Sequence, residues 1–242
     1  MATLLELDNV FKRFGGIVAT NGLSFTVEKG ESLALIGPNG AGKTTIFSLI
    51  MGEIRQNSGA IRFKGKDVSN LATHERIKRG IARTYQVPRP FGDMDVAQNI
   101  RVGMTPDNLW QMVFGAPDPA AELEIARSVG FRESDLARTP STLSMGDLRK
   151  LELARALATR PEVMLLDEVF AGLTVAEIDQ ISDLLAQKRR EGMTFVIVSH
   201  DLRALEPLVD RAVAMTFGKA IAEGSFASVM GDEAVRSAYL GE

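Results

Sequence analysis

Residues 37–44 form a glycine-rich loop, Gly-Pro-Asn-Gly-Ala-Gly-Lys-Thr, whose residue types suit phosphate binding. Glycines leave no side chain between the backbone and a phosphate, so successive N–H groups can point at its oxygens. Lys43 supplies a cation for the outer phosphates, and the Thr44 hydroxyl can ligate Mg²⁺. An apolar run over 32–36 precedes the loop and an amphipathic stretch over 45–51 follows it, which is the strand–loop–helix context of this motif. The sequence therefore predicts a site for a nucleoside triphosphate.

Two acidic residues, Asp167 and Glu168, directly follow the apolar run Val163–Leu166. Such a run is typical of a strand buried on both faces of a parallel sheet. Ligands gather at the carboxyl ends of these strands, where the phosphate loop also lies. An aspartate there can hold the metal, and the adjacent glutamate can polarise the water that attacks a γ-phosphate. The alternative is that the two acids only cap the next helix, which leaves their joint position after a buried strand unexplained.

A second apolar run, Thr194–Val198, ends just before His200, and the predicted strand Ile81–Tyr85 ends at Gln86. His200 would stand at the same sheet edge within reach of a γ-phosphate, although a histidine hydrogen-bonded at a strand end is an equally good interpretation of the residue alone. Gln86 could ligate Mg²⁺ or orient water at a hinge. Glutamines are common in loops, so Gln86 alone is weak support.

The segment Leu143–Asp147 opens a predicted helix over Leu148–Ala158. Ser144 and Asp147 have the spacing of a capping box, and a simple helix cap is a good interpretation. A serine, the exposed N–H of Gly146 and a helix N-terminus would also make a second anion site. Phe14, before two glycines, could face a purine base, but its spacing alone favours a core aromatic residue.

The elements that must position these residues form two kinds of segment. Short alternating strands fill the beginning of the chain, and strands alternate with helices after Pro161. We predict an α/β nucleotide-binding core built from 1–87 and 159–242, with an antiparallel β-subdomain near the start. A helical insertion over 88–158 would carry the second anion site, with breaks at Pro106 and at 117–119.

Composition limits the possible functions. The chain has 242 residues, of which 45% are hydrophobic and 24% are charged, with a net charge of −3 and no cysteine. The absence of cysteine excludes disulfides, thiolate metal sites and cysteine nucleophiles. The charge argues against a nucleic-acid partner. No signal peptide and no apolar run of membrane-spanning length is apparent, so we expect a soluble, cytoplasmic chain.

Taken together and in order, these motifs resemble those of the ATP-binding cassette family over essentially the whole chain. The motifs that carry the resemblance are Phe14, the loop 37–44, Gln86, Leu143–Asp147, Val163–Glu168, Ala171–Leu173 and His200. The resemblance implies a P-loop NTPase core of RecA type and an ATPase that uses ATP and Mg²⁺. Within the family, residues 14–17, 80–86 and the ending Ala238-Tyr239-Leu240-Gly241 are similar to importers of branched-chain amino acids, and also to urea and short-amide importers.

The resemblance assigns roles residue by residue. Phe14 would stack on adenine, Ser144 and Gly146 would reach the γ-phosphate held by a second subunit, and Glu168 would polarise water. The implied nucleotide contacts are Phe14, Gly37, Pro38, Asn39, Gly40, Ala41, Gly42, Lys43, Thr44, Thr45, Ser144 and Gly146. The implied metal contacts are Thr44, Gln86 and Asp167. The implied catalytic residues are Glu168, His200 and Gln86.

The same resemblance implies partners. Two cassettes, identical or different, would close head to tail over ATP, and residues 87–114 would receive a helix from a membrane permease at the inner face of the cell membrane. A solute-binding protein would act indirectly. A soluble cassette of DNA repair or translation, and a module that binds ATP without hydrolysing it, are the rival interpretations. The insertion lacks the sustained heptads of the repair type, and Glu168 and His200 argue against the binding-only type.

Three residues depart from the usual family pattern. Asp147 stands where the signature usually ends in glutamine, Val169 replaces a proline, and Thr174 replaces an asparagine or aspartate. An acid near a partner-bound ATP could slow closure by charge repulsion, which Arg149 and Lys150 could offset. We expect these changes to tune the rate of turnover without abolishing it.

Overall fold

The computed structural model describes residues 2–104 and 118–240. These residues contain ten strands and nine α-helices. The strands are Thr3–Phe14 (β1), Ile17–Glu28 (β2), Ser32–Ile36 (β3), Ser58–Phe63 (β4), Lys66–Asp67 (β5), Ile81–Arg83 (β6), Val163–Asp167 (β7), Thr194–Val198 (β8), Arg211–Thr216 (β9) and Lys219–Gly224 (β10).

The α-helices in the same described ranges are Lys43–Met51 (α1), Thr73–Lys78 (α2), Val96–Met104 (α3), Pro119–Ser128 (α4), Met145–Ala158 (α5), Val175–Arg190 (α6), Leu202–Leu205 (α7), Phe226–Gly231 (α8) and Glu233–Leu240 (α9). Short 3₁₀ turns cover Glu133–Asp135, Pro140–Thr142 and Glu206–Leu208. None of the helices among the described residues is long and apolar enough to cross a bilayer.

A six-stranded sheet in the order β10-β9-β3-β8-β7-β6 forms the centre of the molecule. Strands β9, β3, β8, β7 and β6 run parallel, and β10 is antiparallel at one edge. Every residue of β3, β7 and β8 is buried, as their uninterrupted apolar sequences predict. The loop after β3 and the residues after β7 and β8 therefore emerge at the same edge of the sheet.

The two faces of this sheet support separate cores. One face, which includes Leu33 and Leu165, packs with α1 and with apolar residues of a four-stranded antiparallel sheet in the order β2-β1-β4-β5. The opposite face, which includes Met164 and Ile197, packs beneath helices that include α5 and α6. The predicted α/β fold of P-loop NTPase type is confirmed.

Helices α3, α4 and α5 pack against one another and supply the predicted helical region. Residues 105–117 of the insertion, with Pro106 and Pro117, lie outside the described residues. The division at 88 and 158 stays a prediction.

Two local predictions were wrong by a few residues. Helix α5 begins at Met145 rather than Leu148, because Ser144 Oγ already caps it by accepting the N–H of Asp147 at 3.1 Å. Strand β6 ends at Arg83 rather than Tyr85, whose N–H donates to Glu152 Oε1 at 2.7 Å instead of continuing a strand.

Candidate active site

The phosphate loop is a backbone cradle between β3 and α1 that only glycine can build at two positions. Gly37 has φ 149° and Gly42 has φ 106°. A Cβ on Gly37 would lie 2.1 Å from the carbonyl oxygen of Met215, and one on Gly42 would lie 2.4 Å from that of Ala19. Both distances are far inside van der Waals contact, so a side chain at either position would displace the backbone.

Lys43, the first residue of α1, folds back over this loop. Its Nζ donates to the carbonyl oxygens of Gly37 at 2.6 Å and Pro38 at 3.0 Å. Burial lowers the pKa of Lys43, while the nearby carboxylates of Glu168 and Asp167 oppose that effect. The Lys43 ammonium is thus held at the loop, where it can balance the negative charge of a phosphate.

Asp167 ends β7 with one oxygen held and one unpaired. Arg83 Nη2 donates to its Oδ2 at 2.7 Å, and the two side chains are 4% and 2% exposed. Oδ1 is buried without a hydrogen-bond partner among the described residues. Burial raises the pKa of Asp167, against the opposing effect of Arg83. An unpaired buried carboxylate oxygen is costly unless a ligand completes it, and a hard cation is the natural one.

The side-chain oxygens available near the loop are of the kind that binds Mg²⁺. The unpaired Asp167 oxygen, the Thr44 hydroxyl at the start of α1 and the Gln86 amide are oxygen ligands of the kind that this ion takes. When bound, the ion would neutralise phosphate charge.

Glu168 and His200 contact each other directly. Glu168 Oε2 lies within hydrogen-bond distance of His200 Nδ1, at 2.7 Å, and accepts the His200 backbone N–H at 3.1 Å. The Glu168 backbone lies in the left-handed region with φ 51°, a strained conformation for a non-glycine residue. The contact between the acid and the histidine was not foreseen from the sequence.

A single cavity of about 220 Å³ joins the loop to Gln86 and Glu168. Its lining consists of Asn39, Gly40, Ala41, Gly42, Lys43, Thr44, Thr45, Gln86, Glu168 and Val198. Gly37 and Pro38 do not line the cavity, but their carbonyl oxygens accept hydrogen bonds from Lys43, which does. His200 likewise contacts Glu168, a lining residue. The structure therefore gathers most of the candidate residues, whereas Phe14, Ser144, Gly146 and Asp167 are not in this lining. Asp167 directly precedes Glu168 in the chain.

Phe14 lies at the hairpin end of β1, opposite Ile17, and is 47% exposed. Lys12 Nζ lies 4.8 Å from the centre of its ring. The prediction from spacing alone, a core aromatic residue, was wrong, because the residue lies beyond the buried part of the hairpin. The other hairpin strand carries Ala19, whose carbonyl limits Gly42, so an exposed aromatic face stands on the hairpin that flanks the loop.

Ser144 and Gly146 lie at the N-terminus of α5, and both contact Glu177 of α6 rather than the loop. Ser144 Oγ donates to Glu177 Oε1 at 3.1 Å, and the Gly146 N–H donates to the same oxygen at 3.0 Å. The Asp147 carboxylate forms ion pairs with Lys150 Nζ, 3.6 Å from Oδ1, and with Arg138 Nη1, 3.7 Å from Oδ2. The expectation that Arg149 offsets Asp147 was wrong, because Arg149 points into the core.

Arg149 is fully buried and ties α5 to the segment after β6. Its Nη1 donates to the Tyr85 carbonyl at 2.6 Å and to Glu152 Oε2 at 2.7 Å. Its Nη2 donates to the carbonyl of Gln86 at 2.9 Å. Glu152 in turn accepts the Tyr85 N–H, and burial raises the pKa of that carboxyl. This pair fixes the backbone that presents Gln86.

Replacing Arg149 with alanine should lower the free energy of unfolding by about 3–5 kcal/mol, because Glu152 would remain buried without its cation. Urea denaturation of the purified chain measures this loss. Adding Glu152→Gln to the same chain should recover part of it, since the amide removes the unpaired charge. A loss below about 1 kcal/mol for the single variant would contradict the role of this pair.

Tyr239, near the end of α9, also touches the loop. Its hydroxyl accepts the N–H of Gly37 at 2.9 Å, across 202 residues of sequence. Burial raises the pKa of Tyr239. In the sequence this tyrosine is part of the C-terminal resemblance only, and no pattern around it predicts a contact with the loop. A local signal could not have found it, because the contact joins the two ends of the chain.

Comparison with known proteins agrees with this geometry. Residues 20–171 match the ABC transporter family, and residues 221–242 match the family described as branched-chain amino acid ATP-binding cassette transporter. The high-affinity branched-chain amino acid transport ATP-binding protein BraF of Pseudomonas aeruginosa is 33% identical over 99% of this chain and 98% of its own length. The lipopolysaccharide export system ATP-binding protein LptB of Haemophilus influenzae is 34% identical, with the same coverage.

A solved structure of the ADP conformation of an ATP-binding cassette from an ABC transporter superimposes with a TM-score of 0.89. It shares 30% of its sequence with this chain, and each covers 100% of the other. The family match spans more than half of the chain, and the relatives match it end to end. The chain therefore belongs to the ABC transporter family and is an ATPase of that family.

Proposed function

We propose that this chain is the ATP-hydrolysing subunit of a membrane importer for branched-chain or related amino acids. The observation that carries the hydrolytic part is the cavity that joins the loop to Gln86 and Glu168. Asp167, the residue before Glu168, adds a buried carboxylate oxygen without a hydrogen-bond partner among the described residues. The C-terminal match and the BraF similarity support the solute class. The similarity to LptB favours a second candidate, the ATPase of a lipopolysaccharide exporter.

In this proposal each residue at the site has a separate role in binding or hydrolysing ATP. The loop from Gly37 to Thr45 holds the phosphates through backbone N–H groups, and Lys43 balances their charge. Asp167, Thr44 and Gln86 hold Mg²⁺. Glu168 accepts a proton from the attacking water, and His200 orients the Glu168 carboxylate and contacts the γ-phosphate.

The remaining nucleotide contacts come from two other places. Phe14 offers its exposed face to adenine. Ser144 and Gly146 of a second cassette complete the site over the γ-phosphate, so the active form is a head-to-tail dimer of identical or similar chains. A lone chain would then bind ATP but hydrolyse it slowly.

The permease contact is proposed for the surface between α2, β6, α3 and α5. A cavity of about 380 Å³ opens there, with Ile77, Ala82 and Val102 among its lining residues. Of the exposed apolar side chains in this part of the chain, Tyr85 and Val102 line the cavity, and Val87, Phe91 and Met94 lie between them in sequence. An exposed apolar patch of this kind is typical of a protein interface. The family resemblance predicts this contact at 87–114, of which 105–114 lies outside the described residues.

The test is to tag the Glu168→Gln variant, extract native membranes in mild detergent with ATP, and identify the proteins that purify with it. Recovery of multi-span permeases would place the chain at the inner face of the membrane. Their associated solute-binding protein, screened with leucine and urea, would then identify the solute. The matched control adds Val102→Arg, which should prevent recovery of the permease but leave ATP binding unchanged.

Recovery of lipopolysaccharide export components instead would favour the second candidate. Recovery of only soluble proteins or nucleic acid would contradict transport altogether and favour the soluble type of cassette.

A further inference from the structure

Glu177 occupies the anion site at the N-terminus of α5. Its Oε1 accepts the Ser144 hydroxyl at 3.1 Å and the Gly146 N–H at 3.0 Å. A Cβ built on Gly146 would lie 2.6 Å from the same oxygen, so the carboxylate rests directly against the glycine backbone. The proposed function places the γ-phosphate of a partner-bound ATP on these two donors. In this structure a carboxylate of the same chain takes them.

Glu177 and a γ-phosphate cannot both bind the Ser144 hydroxyl and the Gly146 N–H, because these groups have too few hydrogens. A serine hydroxyl and a backbone N–H have one hydrogen each. Both hydrogens point to Glu177 Oε1, while the Ser144 oxygen is already used as an acceptor by the Asp147 N–H. A phosphate oxygen can therefore gain these two bonds only when Glu177 gives them up.

The other oxygen of this carboxylate is anchored on its own helix. Glu177 Oε2 accepts the Thr174 backbone N–H at 3.0 Å and the Thr174 hydroxyl at 2.9 Å. These bonds, with those from α5, hold the pKa of Glu177 at about 2, so the group is anionic at neutral pH. Because Thr174 is the N-cap residue of α6 and Glu177 lies in its first turn, the carboxylate links the beginnings of α5 and α6.

We propose that Glu177 is a positioning residue that acts through Ser144 and Gly146: it fills their anion site in the free subunit, and the partner's γ-phosphate must displace it before the dimer closes. The inference rests on the proposed role of Ser144 and Gly146. Glu177 thereby raises the ATP concentration needed for closure and keeps the two donors oriented until the phosphate arrives.

The competing explanation is that Glu177 serves only as the capping-box acid of α6. Loss of a cap destabilises a helix by about 1 kcal/mol and would weaken closure or leave it unchanged. Loss of a competing anion would strengthen closure. The two roles therefore predict opposite signs for the same substitution.

The experiment uses Glu177→Gln in the full chain that also carries Glu168→Gln, so that ATP is bound but not consumed. The midpoint of dimer formation is measured by analytical ultracentrifugation over a titration of ATP with Mg²⁺. The midpoint should fall at least fivefold, because a neutral amide holds the two donors less strongly than a carboxylate and removes a negative charge beside the phosphate. ATP affinity of the monomer, measured with Ser144→Arg to block closure, should change less than twofold.

Two controls make the result specific. Asp179→Asn removes a negative charge from an exposed position on the same helix and should leave the midpoint within twofold. Glu177→Asp keeps an acid at the capping position but withdraws it from Gly146, so it should lower the midpoint like Glu177→Gln. It serves as the test variant if the amide does not fold.

An unchanged or raised midpoint in the folded variants would overturn the inference. Failure of the proposed function gives a different result: if Ser144→Ala in the Glu168→Gln chain leaves the midpoint unchanged, Ser144 has no part in closure. If Ser144→Ala raises the midpoint and Glu177→Gln does not lower it, the shared site stands and only the role of Glu177 is rejected.

Discussion

Replacing Glu168 with glutamine should reduce ATP turnover by at least about 100-fold while ATP binding persists. An amide cannot accept the proton of the attacking water, but it is nearly the same size and can stay beside His200. With hydrolysis blocked, ATP should hold two chains together. Phosphate release measures the turnover, and gel filtration with Mg²⁺-ATP detects the dimer.

The matched control for this variant is Glu191→Gln, which removes an acid at the far end of α6. It should turn over ATP at the rate of the unaltered chain. Substantial turnover by Glu168→Gln would show that another residue polarises the water. A complete loss of ATP binding would show that Glu168 holds the nucleotide rather than acting on water.

Replacing Lys43 with alanine should weaken ATP binding by at least about tenfold, because one charge-assisted contact to the outer phosphates is lost in a partly buried site. The structure adds a second reason. The ammonium is bonded to the carbonyl oxygens of Gly37 and Pro38, so its removal also loosens the loop. Equilibrium binding of a fluorescent ATP analogue measures the affinity.

Lys29→Ala, at an exposed position before β3, removes the same charge away from the loop and should bind ATP normally. The melting temperature of Lys43→Ala should stay close to that of the unaltered chain without nucleotide. Tight ATP binding by Lys43→Ala would contradict the assignment of the loop.

Local patterns were sufficient to predict the elements that position the site. The apolar runs of β3, β7 and β8 predict strands buried on both faces, and those strands place Asp167, Glu168 and His200 at the edge that carries the loop. Each of these patterns is contained within about ten residues. Ser144 as a helix cap was predicted for the same reason and is confirmed.

Contacts between distant residues could not be predicted in this way. Arg149 meets the carbonyl of Gln86 from 63 residues away, and Tyr239 meets Gly37 across 202 residues. Neither residue carries a local signal for its partner, because burial and topology bring each pair together. The pairing of Glu168 with His200 depended on side-chain conformations at the ends of two neighbouring strands, which spacing does not specify.

Mixing two inactive chains tests most directly that ATP is hydrolysed at a site shared between two cassettes. Lys43→Ala inactivates the loop and Ser144→Arg blocks the second anion site, so each chain alone should lack turnover. In a head-to-tail mixed dimer, the intact loop of one chain meets the intact Ser144 of the other, and the mixture should recover up to about a quarter of wild-type turnover. A mixture no more active than its two components, under conditions where the wild-type chain turns over ATP, would contradict the shared site.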